Sequence, residues 1–360
     1  MTSTPKKKIN LALQGGGAHG AFAWGVLDQI LEDGSLEIEG ICATSAGTMN
    51  ACAFAYGNHK GGPEKARETL HDFWWNIHQS GLTYSPVRRM PWEQAFYGNP
   101  NGWNMNYSAS FFLFDIFTRL FSPSQLNPFD FNPLKDVLAQ TINFEELQQC
   151  TQTKLFISAT HVKTGKVRVF HTSQVTLDVA LASACLPFLF KAVEVDKEHF
   201  WDGGYVGNPA LFPLFYETQC RDVMIVHINP IERDEIPTSA PDIMNRINEI
   251  SFNASLINEM RAIAFVKKLI QHRMLKKEYQ DNFKDILVHS IRADDALKEL
   301  SVASKFNTQW RFLTDLRDRG RQTTKVWLEQ NFDKIGNEDT VDLHGEFLYS
   351  VTRLFESEAT

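Results

Sequence analysis

Two short segments rich in glycine and serine lie within the first fifty residues, each directly after an apolar run. Residues 15–20 read Gly-Gly-Gly-Ala-His-Gly (the glycine loop), and residues 43–47 read Ala-Thr-Ser-Ala-Gly (the serine turn). Both patterns predict a buried strand that ends in a tight turn and continues into a helix. A glycine loop exposes backbone N–H groups that can bind a negative oxygen, and a serine on a sharp strand-to-helix turn exposes its hydroxyl. Together the segments indicate a serine hydrolase that needs one further partner, a base.

Apolar spacing along the rest of the chain predicts alternating strands and helices, and therefore an α/β fold. A helix after the glycine loop is predicted to end at Gly34, and the helix after the serine turn is predicted to end near Gly57. Further strands are expected at residues 154–160, 166–171, 192–195, 198–201, 222–229 and 285–292. Further helices are expected from residue 176 to before Pro187, from about residue 241, and at about 294–330.

Residues 73–131 differ from their surroundings, because they are rich in aromatic side chains and interrupted by prolines. This composition predicts an insertion rather than a sheet element. One interpretation is a lid and interfacial surface in which four phenylalanines face lipid acyl chains, namely Phe111, Phe114, Phe117 and Phe121. The alternative is an aromatic core packed against the main sheet, with burial expected above all for the tryptophans.

Composition limits the function classes. The chain has 360 residues, of which 43% are hydrophobic, and a formal net charge of −7. A chain of this length can bury a large core, and its acidic balance disfavours nucleic acid as a partner. The five cysteines lack metal-ligand spacing, and no histidine–glutamate metal motif occurs, so neither a metal nor another cofactor is implied. The polar start lacks a signal-peptide pattern, which predicts a cytoplasmic location; export without a cleaved signal is compatible with the same pattern.

Two familiar interpretations of the early motifs meet difficulties. In an α/β-hydrolase the nucleophile follows several strands, whereas Ser45 follows only the second predicted strand. The glycine loop also matches the G-x-G-x-x-G pattern of dinucleotide-binding proteins. That pattern requires an acidic residue at the end of the next strand to bind ribose, but the next strand here ends in the serine turn.

A third interpretation is carried by four blocks in order. They are the glycine loop, the serine turn, Ala-Ser-Ala-Cys-Leu-Pro at residues 182–187, and Asp-Gly-Gly at residues 202–204 continuing to Pro209. At these blocks the chain resembles the patatin-like phospholipase family, over roughly residues 9–216. The resemblance implies a patatin-type central mixed sheet flanked by helices. It divides the chain into a catalytic domain at residues 9–216 and a mainly helical region at residues 217–360 that completes or extends it.

The resemblance also implies a catalytic dyad of Ser45 as nucleophile and Asp202 as general base. A serine hydroxyl needs a base to take its proton, and partial burial raises the basicity of a carboxylate. The expected oxyanion donors are backbone N–H groups of the glycine loop and of the residue after Ser45; the candidates are Gly15, Gly16, Gly17 and Ala46. A conventional triad completed by His171 or His199 is the less favoured alternative.

Two positions depart from the family pattern. The serine turn begins with Ala43 where the family usually has glycine, and His19 stands where the family often has arginine or lysine. If position 19 steadies a charged headgroup or the oxyanion, His19 makes that effect dependent on pH. The alternative is that His19 only packs locally. The candidate substrate contacts are His19, Phe111, Phe114, Phe117 and Pro187.

The expected function is hydrolysis of acyl esters of phospholipids or lysophospholipids through an acyl-serine intermediate. Alternatives with the same dyad are an esterase, a thioesterase or a polyester depolymerase. An alternative of another class is a catalytically silent protein that binds lipids or membranes. Peripheral membrane contact is a further expectation, because residues 261–277 combine basic side chains with an apolar stripe, although a solvated outer face explains the same pattern.

Overall fold

The computed structural model describes residues 6–85, 110, 116–118, 120–276, 278, 283–298, 300 and 302–348. Its centre is an eight-stranded mixed sheet in the order β5-β6-β3-β2-β1-β7-β8, with β4 also paired to β3. The strands are β1 (Lys7–Leu13), β2 (Leu36–Ala43), β3 (Lys154–His161), β4 (Val167–His171), β5 (Val193–Val195), β6 (Glu198–Asp202), β7 (Asp222–His227) and β8 (Leu287–Arg292). The α/β prediction and every predicted strand are confirmed.

Helices cover both faces of this sheet. The described helices are α1 (Ala21–Asp33), α2 (Ala46–Tyr84), α3 (Pro123–Leu126), α4 (Pro133–Thr141), α5 (Phe144–Leu147), α6 (Leu177–Ser183), α7 (Phe212–Glu217), α8 (Ala240–Gln271), α9 (Asp294–Leu297), α10 (Trp310–Asn331) and α11 (Leu343–Phe347). Short 3-10 turns lie at Gly17–Gly20, Thr172–Gln174, Gly203–Tyr205, Val302–Phe306 and Phe332–Lys334. Alternate residues of β1 enter two separate cores, Leu11 and Leu13 on one face and Ala12 on the other. This alternation follows from the two-residue period of a strand.

Strands β3, β2, β1, β7 and β8 are parallel, so their carboxyl ends lie at one edge of the sheet. Chain order runs outward from β1 in both directions, because β2 and β3 lie on one side and β7 and β8 on the other. Loops that leave the carboxyl ends on either side of such a reversal enclose a crevice, which is where open α/β sheets bind ligands. The glycine loop follows β1 at this point, and the serine turn follows β2.

The end of β6 is brought to the end of β2 by their common neighbour β3. Strand β4 occupies one edge of β3 over Phe156–Thr160, so β2 and β6 share the other edge. Strand β2 runs parallel to β3 and β6 runs antiparallel to it, so their carboxyl ends face each other. Ala43 pairs with Ile157 and Asp202 pairs with Ala159, two residues further on, about 7 Å along a strand.

The span α2 consists of two helical segments separated by a kink. The first runs from the serine turn to the non-helical positions Gly61 and Gly62, about one turn beyond the predicted end near Gly57, and the second continues to Tyr84. Gly57 is an interior position at which the two helical segments touch, since a Cβ there would lie 2.5 Å from Ala66 Cα. The glycine therefore serves packing across the kink rather than ending the helix.

The beginning of the predicted aromatic insertion belongs to α2, which includes residues 73–84. Trp74 is buried and stacks on Trp24 with ring centroids 6.2 Å apart, whereas Trp75 is 40% exposed. Burial of the tryptophans is therefore confirmed for Trp74 but not for Trp75. Phe111 and Phe114 lie outside the described residues. Phe117 is about half exposed and stacks on Phe121.

The chain after residue 217 contributes strands as well as helices. Strand β7 pairs with β1 at the centre of the sheet, and β8 pairs with β7. The basic pattern at residues 261–277 is partly internal, because Lys267 is buried with its Nζ 2.9 Å from Asp339 and 3.2 Å from Asp285. Within the described ranges, none of the helices combines the length and the apolar character needed to cross a lipid bilayer.

Helices α1 and α10 meet at two glycines. A Cβ on Gly25 would collide with the carbonyl oxygen of Arg317, and one on Gly320 would collide with that of Phe22. We therefore expect Gly25→Ala to destabilise the protein by about 1–3 kcal/mol, although alanine is the better helix former. Urea denaturation measures the change, with Gln322→Ala on the exposed side of α10 as the control. An unchanged midpoint for Gly25→Ala would show that the helices are not in direct backbone contact.

Candidate active site

Ser45 lies at the junction of β2 and α2 in an unusual backbone conformation. Its φ is 55° and its ψ is −123°, outside the helical and strand regions. Such a conformation is strained for a residue with a side chain, and strained residues concentrate at active sites. The Ser45 N–H donates to Ser183 Oγ at 3.0 Å, and Ser183 Oγ in turn donates to the Ser158 carbonyl at 2.8 Å. The strained turn is thus tied to α6 and β3.

Asp202 ends β6 and is fully buried. Its N–H donates to the Cys185 carbonyl at 2.8 Å, and its own carbonyl accepts from Thr160 Oγ1 at 2.7 Å. Carboxylate oxygen Oδ1 accepts the Gly204 N–H at 2.7 Å. Oxygen Oδ2 is buried and has no hydrogen-bond partner of normal geometry among the described residues. One oxygen therefore fixes the carboxylate, and the other remains available to a reacting group.

The electrostatics of Asp202 suit a general base. Burial raises the pKa of Asp202 to about 6, against the lowering effects of hydrogen bonds from the Gly204 amide and the Ser45 hydroxyl and of the Lys305 charge. The Ser45 hydroxyl is thus adjacent to the carboxylate although it is not aligned on Oδ2. Catalytic hydrogen bonds are often long or poorly aligned until the substrate binds. A carboxylate with this pKa is ionised at neutral pH and is more basic than one in water.

One backbone N–H group of the glycine loop already donates a hydrogen bond within the protein. The Gly15 N–H donates to Asn208 Oδ1 at 2.7 Å, so the expectation that Gly15 supplies an oxyanion donor needs correction. Gly15 instead anchors the loop to the segment after Asp202. The N–H groups of Gly16, Gly17 and Ala46 have no protein acceptor in the described part of the chain. Ala46 is the first residue of α2, where the N–H has no partner within the helix.

His19 is buried and contacts the C-terminal region. Its Nε2 lies 2.7 Å from Ser304 Oγ, and its ring packs edge-on against Phe312. Burial lowers the pKa of His19 well below its usual value, with further lowering from the charges of Lys305 and Arg233. The imidazole is therefore neutral at physiological pH. This placement agrees with the local-packing interpretation of His19 and leaves no cationic side chain at that position.

The other predicted residues are distributed around the site. Pro187 is half-buried and follows the segment that binds the Asp202 backbone. His171 pairs with Glu217 and His199 with Glu194, both at partly exposed positions, so neither completes a triad with Ser45. Ala43 is fully buried at the end of β2. Among the described residues there is no group of three or more histidine, cysteine or acidic side chains that could hold a metal ion.

Several residues that hold the site together had no predicted role. Ser183 and Asn208 lie within the recognised blocks, and their hydrogen bonds to Ser45 and Gly15 explain why those blocks meet. Gln14 accepts from the N–H groups of Ile228 and Asn229 and so joins β1 to the end of β7. Lys305 comes from a distant part of the chain, and no local sequence pattern marks it. The sequence offered one signal for three of these residues, a polar side chain within or next to a recognised block. Ser183 and Asn208 lie within such blocks, and Gln14 directly precedes the glycine loop.

Comparisons with known proteins identify the family of the chain. A family model described as patatin-like phospholipase matches residues 11–215, more than half of the chain. Among solved structures, VipD from Legionella pneumophila is similar with 14% identity and a TM-score of 0.42, over 99% of this chain and 75% of that one. The type III effector protein ExoU is similar with 14% identity and a TM-score of 0.33, over 91% of this chain and 54% of that one. At these levels the structural likenesses carry no information on activity.

A further solved structure, full-length SpcU in complex with full-length ExoU from the type III secretion system of Pseudomonas aeruginosa, shows 13% identity and a TM-score of 0.29, over 89% of this chain and 53% of that one. No curated protein sequence matches the chain significantly. The family model spans all four sequence blocks and includes both Ser45 and Asp202. The chain belongs to the patatin-like phospholipase family.

Proposed function

We propose that the protein is a lipid acyl hydrolase that cleaves carboxylic esters of phospholipids or lysophospholipids through a Ser45–Asp202 dyad. Ser45 Oγ attacks the ester carbonyl while Asp202 accepts its proton. The N–H groups of Gly16, Gly17 and Ala46 stabilise the oxyanion of the tetrahedral intermediate. Asp202 then returns the proton to the leaving alcohol. A water molecule activated by the same carboxylate hydrolyses the acyl-serine and releases the fatty acid.

The observation that carries the proposal is that β2 and β6 pair with the same edge of β3 and that their carboxyl ends face each other. This arrangement brings the strained Ser45 and the buried Asp202 together although they are far apart in sequence. A serine that merely caps a helix needs neither a positive φ nor a buried carboxylate beside it. The side-chain oxygen of Ser45 in fact makes no cap hydrogen bond to α2. Strain and desolvation both destabilise the fold, so their coincidence supports a catalytic role.

Exposed aromatic residues near the dyad support a lipid substrate. Phe188 is 63% exposed and directly follows Pro187, and Tyr205 is 41% exposed and follows Gly204. The first turns of α8 also expose Ile243, Ile247 and Ile250, and the same helix continues to Phe252, whose ring approaches Tyr205. Exposed apolar surface beside a catalytic site favours a substrate that resides in a membrane or micelle. This surface is also the proposed site of peripheral membrane contact.

Labelling with a fluorophosphonate tests the proposal directly. The reagent phosphonylates an activated serine, so we expect one adduct, which peptide mass spectrometry locates at Ser45. Pre-incubation with a lysophospholipid should slow the labelling, and heat-denatured protein is the control for non-specific reaction. Release of fatty acid from phosphatidylcholine, lysophosphatidylcholine, a short neutral ester and an acyl thioester then identifies the substrate class. A protein that binds lipid vesicles without being labelled would contradict the dyad and support the silent alternative.

A further inference from the structure

The 3-10 turn at Val302–Phe306, here called the C-terminal turn, packs directly on the glycine loop. Ser304 Oγ lies 2.7 Å from His19 Nε2. The Lys305 carbonyl oxygen approaches Gly17 so closely that a Cβ on Gly17 would be only 2.6 Å from it, and Gly17 also has a φ of 58°. Both the close approach and the positive φ require glycine at this position. A segment outside the family-model match therefore forms part of the wall of the candidate active site.

The C-terminal turn brings a single ammonium group, that of Lys305, to this wall. Its Nζ donates to Asn229 Oδ1 and to Asn248 Oδ1, each at 3.0 Å, and lies 5.3 Å from the centre of the Phe252 ring. The carboxylates of Glu249 and Asp202 act on Lys305 through their charges, whereas the hydrogen bonds of its Nζ to Asn229 and Asn248 go to amide oxygens. Its charge reaches the site, because it lowers the pKa of Asp202 and the pKa of His19. Two neutral amides hold the ammonium group in place. Burial lowers the pKa of Lys305 to about 8, against the raising effects of the Glu249 and Asp202 charges, so the group is mostly protonated at pH 7.

Asn229 connects Lys305 to the oxyanion donors. Its Oδ1 accepts from Lys305, and its Nδ2 donates to the Gly15 carbonyl at 2.8 Å. The Gly15 carbonyl and the Gly16 N–H belong to the same peptide unit. Successive hydrogen bonds polarise one another, so an amide whose oxygen accepts a charge-assisted bond is a stronger donor at its N–H. The Gly15 N–H is fixed at the same time by Asn208.

We infer that Lys305 is a positioning residue for ester hydrolysis, which acts through Asn229 to orient and polarise the Gly15–Gly16 peptide that faces the oxyanion. This inference rests on the proposed function and deepens it. His19, within the glycine loop, is neutral at physiological pH. Lys305 supplies a positive charge to this loop from the C-terminal turn. This polarisation should stabilise the transition state more than the bound ester, because the oxyanion forms only in the transition state.

The kinetic test uses Lys305→Met and two soluble substrates, a neutral p-nitrophenyl ester and a short-chain phosphatidylcholine. We expect kcat to fall about tenfold to a hundredfold on both substrates, with KM changed by no more than about twofold. Lys305→Arg should recover much of the loss, because it retains the charge. Lys298→Met is the control and should behave as the wild type, because Lys298 is an exposed lysine just before the C-terminal turn that pairs with Asp234. Loss on the phospholipid alone would mean that Lys305 binds the headgroup phosphate, and it would overturn the inference, as would no loss.

The two amides beside Lys305 provide a matched pair. Asn229→Ala removes the link to the Gly15 carbonyl, whereas Asn248→Ala removes one acceptor of Lys305 and leaves that link intact. We expect the larger loss of kcat for Asn229→Ala, with thermal unfolding used to confirm that both variants fold. An equal or larger loss for Asn248→Ala would contradict the path through Asn229.

A readout independent of activity separates this inference from the proposed function. Protein labelled with ¹⁵N-glycine gives an amide spectrum in which Gly16 is assigned from a Gly16→Ala variant. Lys305→Met should shift the Gly16 resonance, while Lys298→Met should not. If the wild type hydrolyses no ester, the proposed function fails but the Gly16 shift is still measurable. A Gly16 resonance that stays in place in Lys305→Met overturns the inference in either case.

Discussion

Replacing Ser45 by alanine should abolish ester hydrolysis, with a loss in kcat of about 10⁴-fold or more, and should abolish fluorophosphonate labelling. The variant retains the backbone donors and the binding surface, but it has no nucleophile to form the acyl intermediate. Alanine tolerates the positive φ of position 45 about as well as serine does, so the fold should persist. The loss would therefore report chemistry and not unfolding.

Hydrolysis of a neutral p-nitrophenyl ester and labelling of the same samples measure this loss. Ser251→Ala, at an exposed position on α8, is the matched serine control and should react like the wild type. Circular dichroism confirms that both variants fold. A Ser45→Ala variant that keeps one hundredth or more of the wild-type rate would point to another nucleophile.

Replacing Asp202 by asparagine should lower kcat by about 10²–10⁴-fold while it stabilises the protein. Asparagine keeps an oxygen that can accept from Gly204 but cannot take a proton from Ser45. In the wild type, the rate should fall as the pH drops through about 6, because protonation of Asp202 removes the base. The small residual rate of Asp202→Asn should lack this acid limb.

The stability change follows from the same pKa. Burial raises the pKa of Asp202 from 3.8 to about 6, so between these values the folded state binds more protons than the unfolded state. The free energy of unfolding of the wild type therefore decreases as the pH rises through this window and levels off above it. A difference of about two pKa units corresponds to about 3 kcal/mol. Asp202→Asn should be more stable than the wild type by up to this amount at pH 8, with the difference disappearing near pH 4.

Urea denaturation at several pH values checks this expectation. Asp196→Asn on the turn between β5 and β6 is the control, because Asp196 is exposed and has a φ of 52° that asparagine accepts. It should change neither activity nor the pH dependence of stability. If Asp202→Asn is less stable than the wild type at pH 8, the carboxylate contributes favourable interactions that outweigh its desolvation. If Asp202→Asn retains the full rate, Asp202 is not the base.

Much of the fold could be predicted because its signals are local. The apolar runs that became β1 and β2 and the glycine and serine segments after them needed no tertiary information. The packing role of Gly57 could not be predicted in this way. In isolation it resembles a helix terminus, but it lies one turn before the kink and contacts the second helical segment of α2. The Gly15 amide was wrongly expected to be free because its acceptor, Asn208, is 193 residues away in sequence.

The amino-acid sequence by itself determined the strand–turn–helix units and the α/β class, because these depend on residues close together in the chain. Through the resemblance of its four blocks it also singled out Ser45 and Asp202 for the proposed dyad. Only the tertiary structure decided that β6 meets β2 along β3, that burial tunes the Asp202 carboxylate, and that Lys305 reaches the glycine loop. The physical reason is that strand pairing, desolvation and charge interactions depend on distances in space. Those distances join segments that no local pattern relates, such as Gly17 and Lys305, which are 288 residues apart in the sequence.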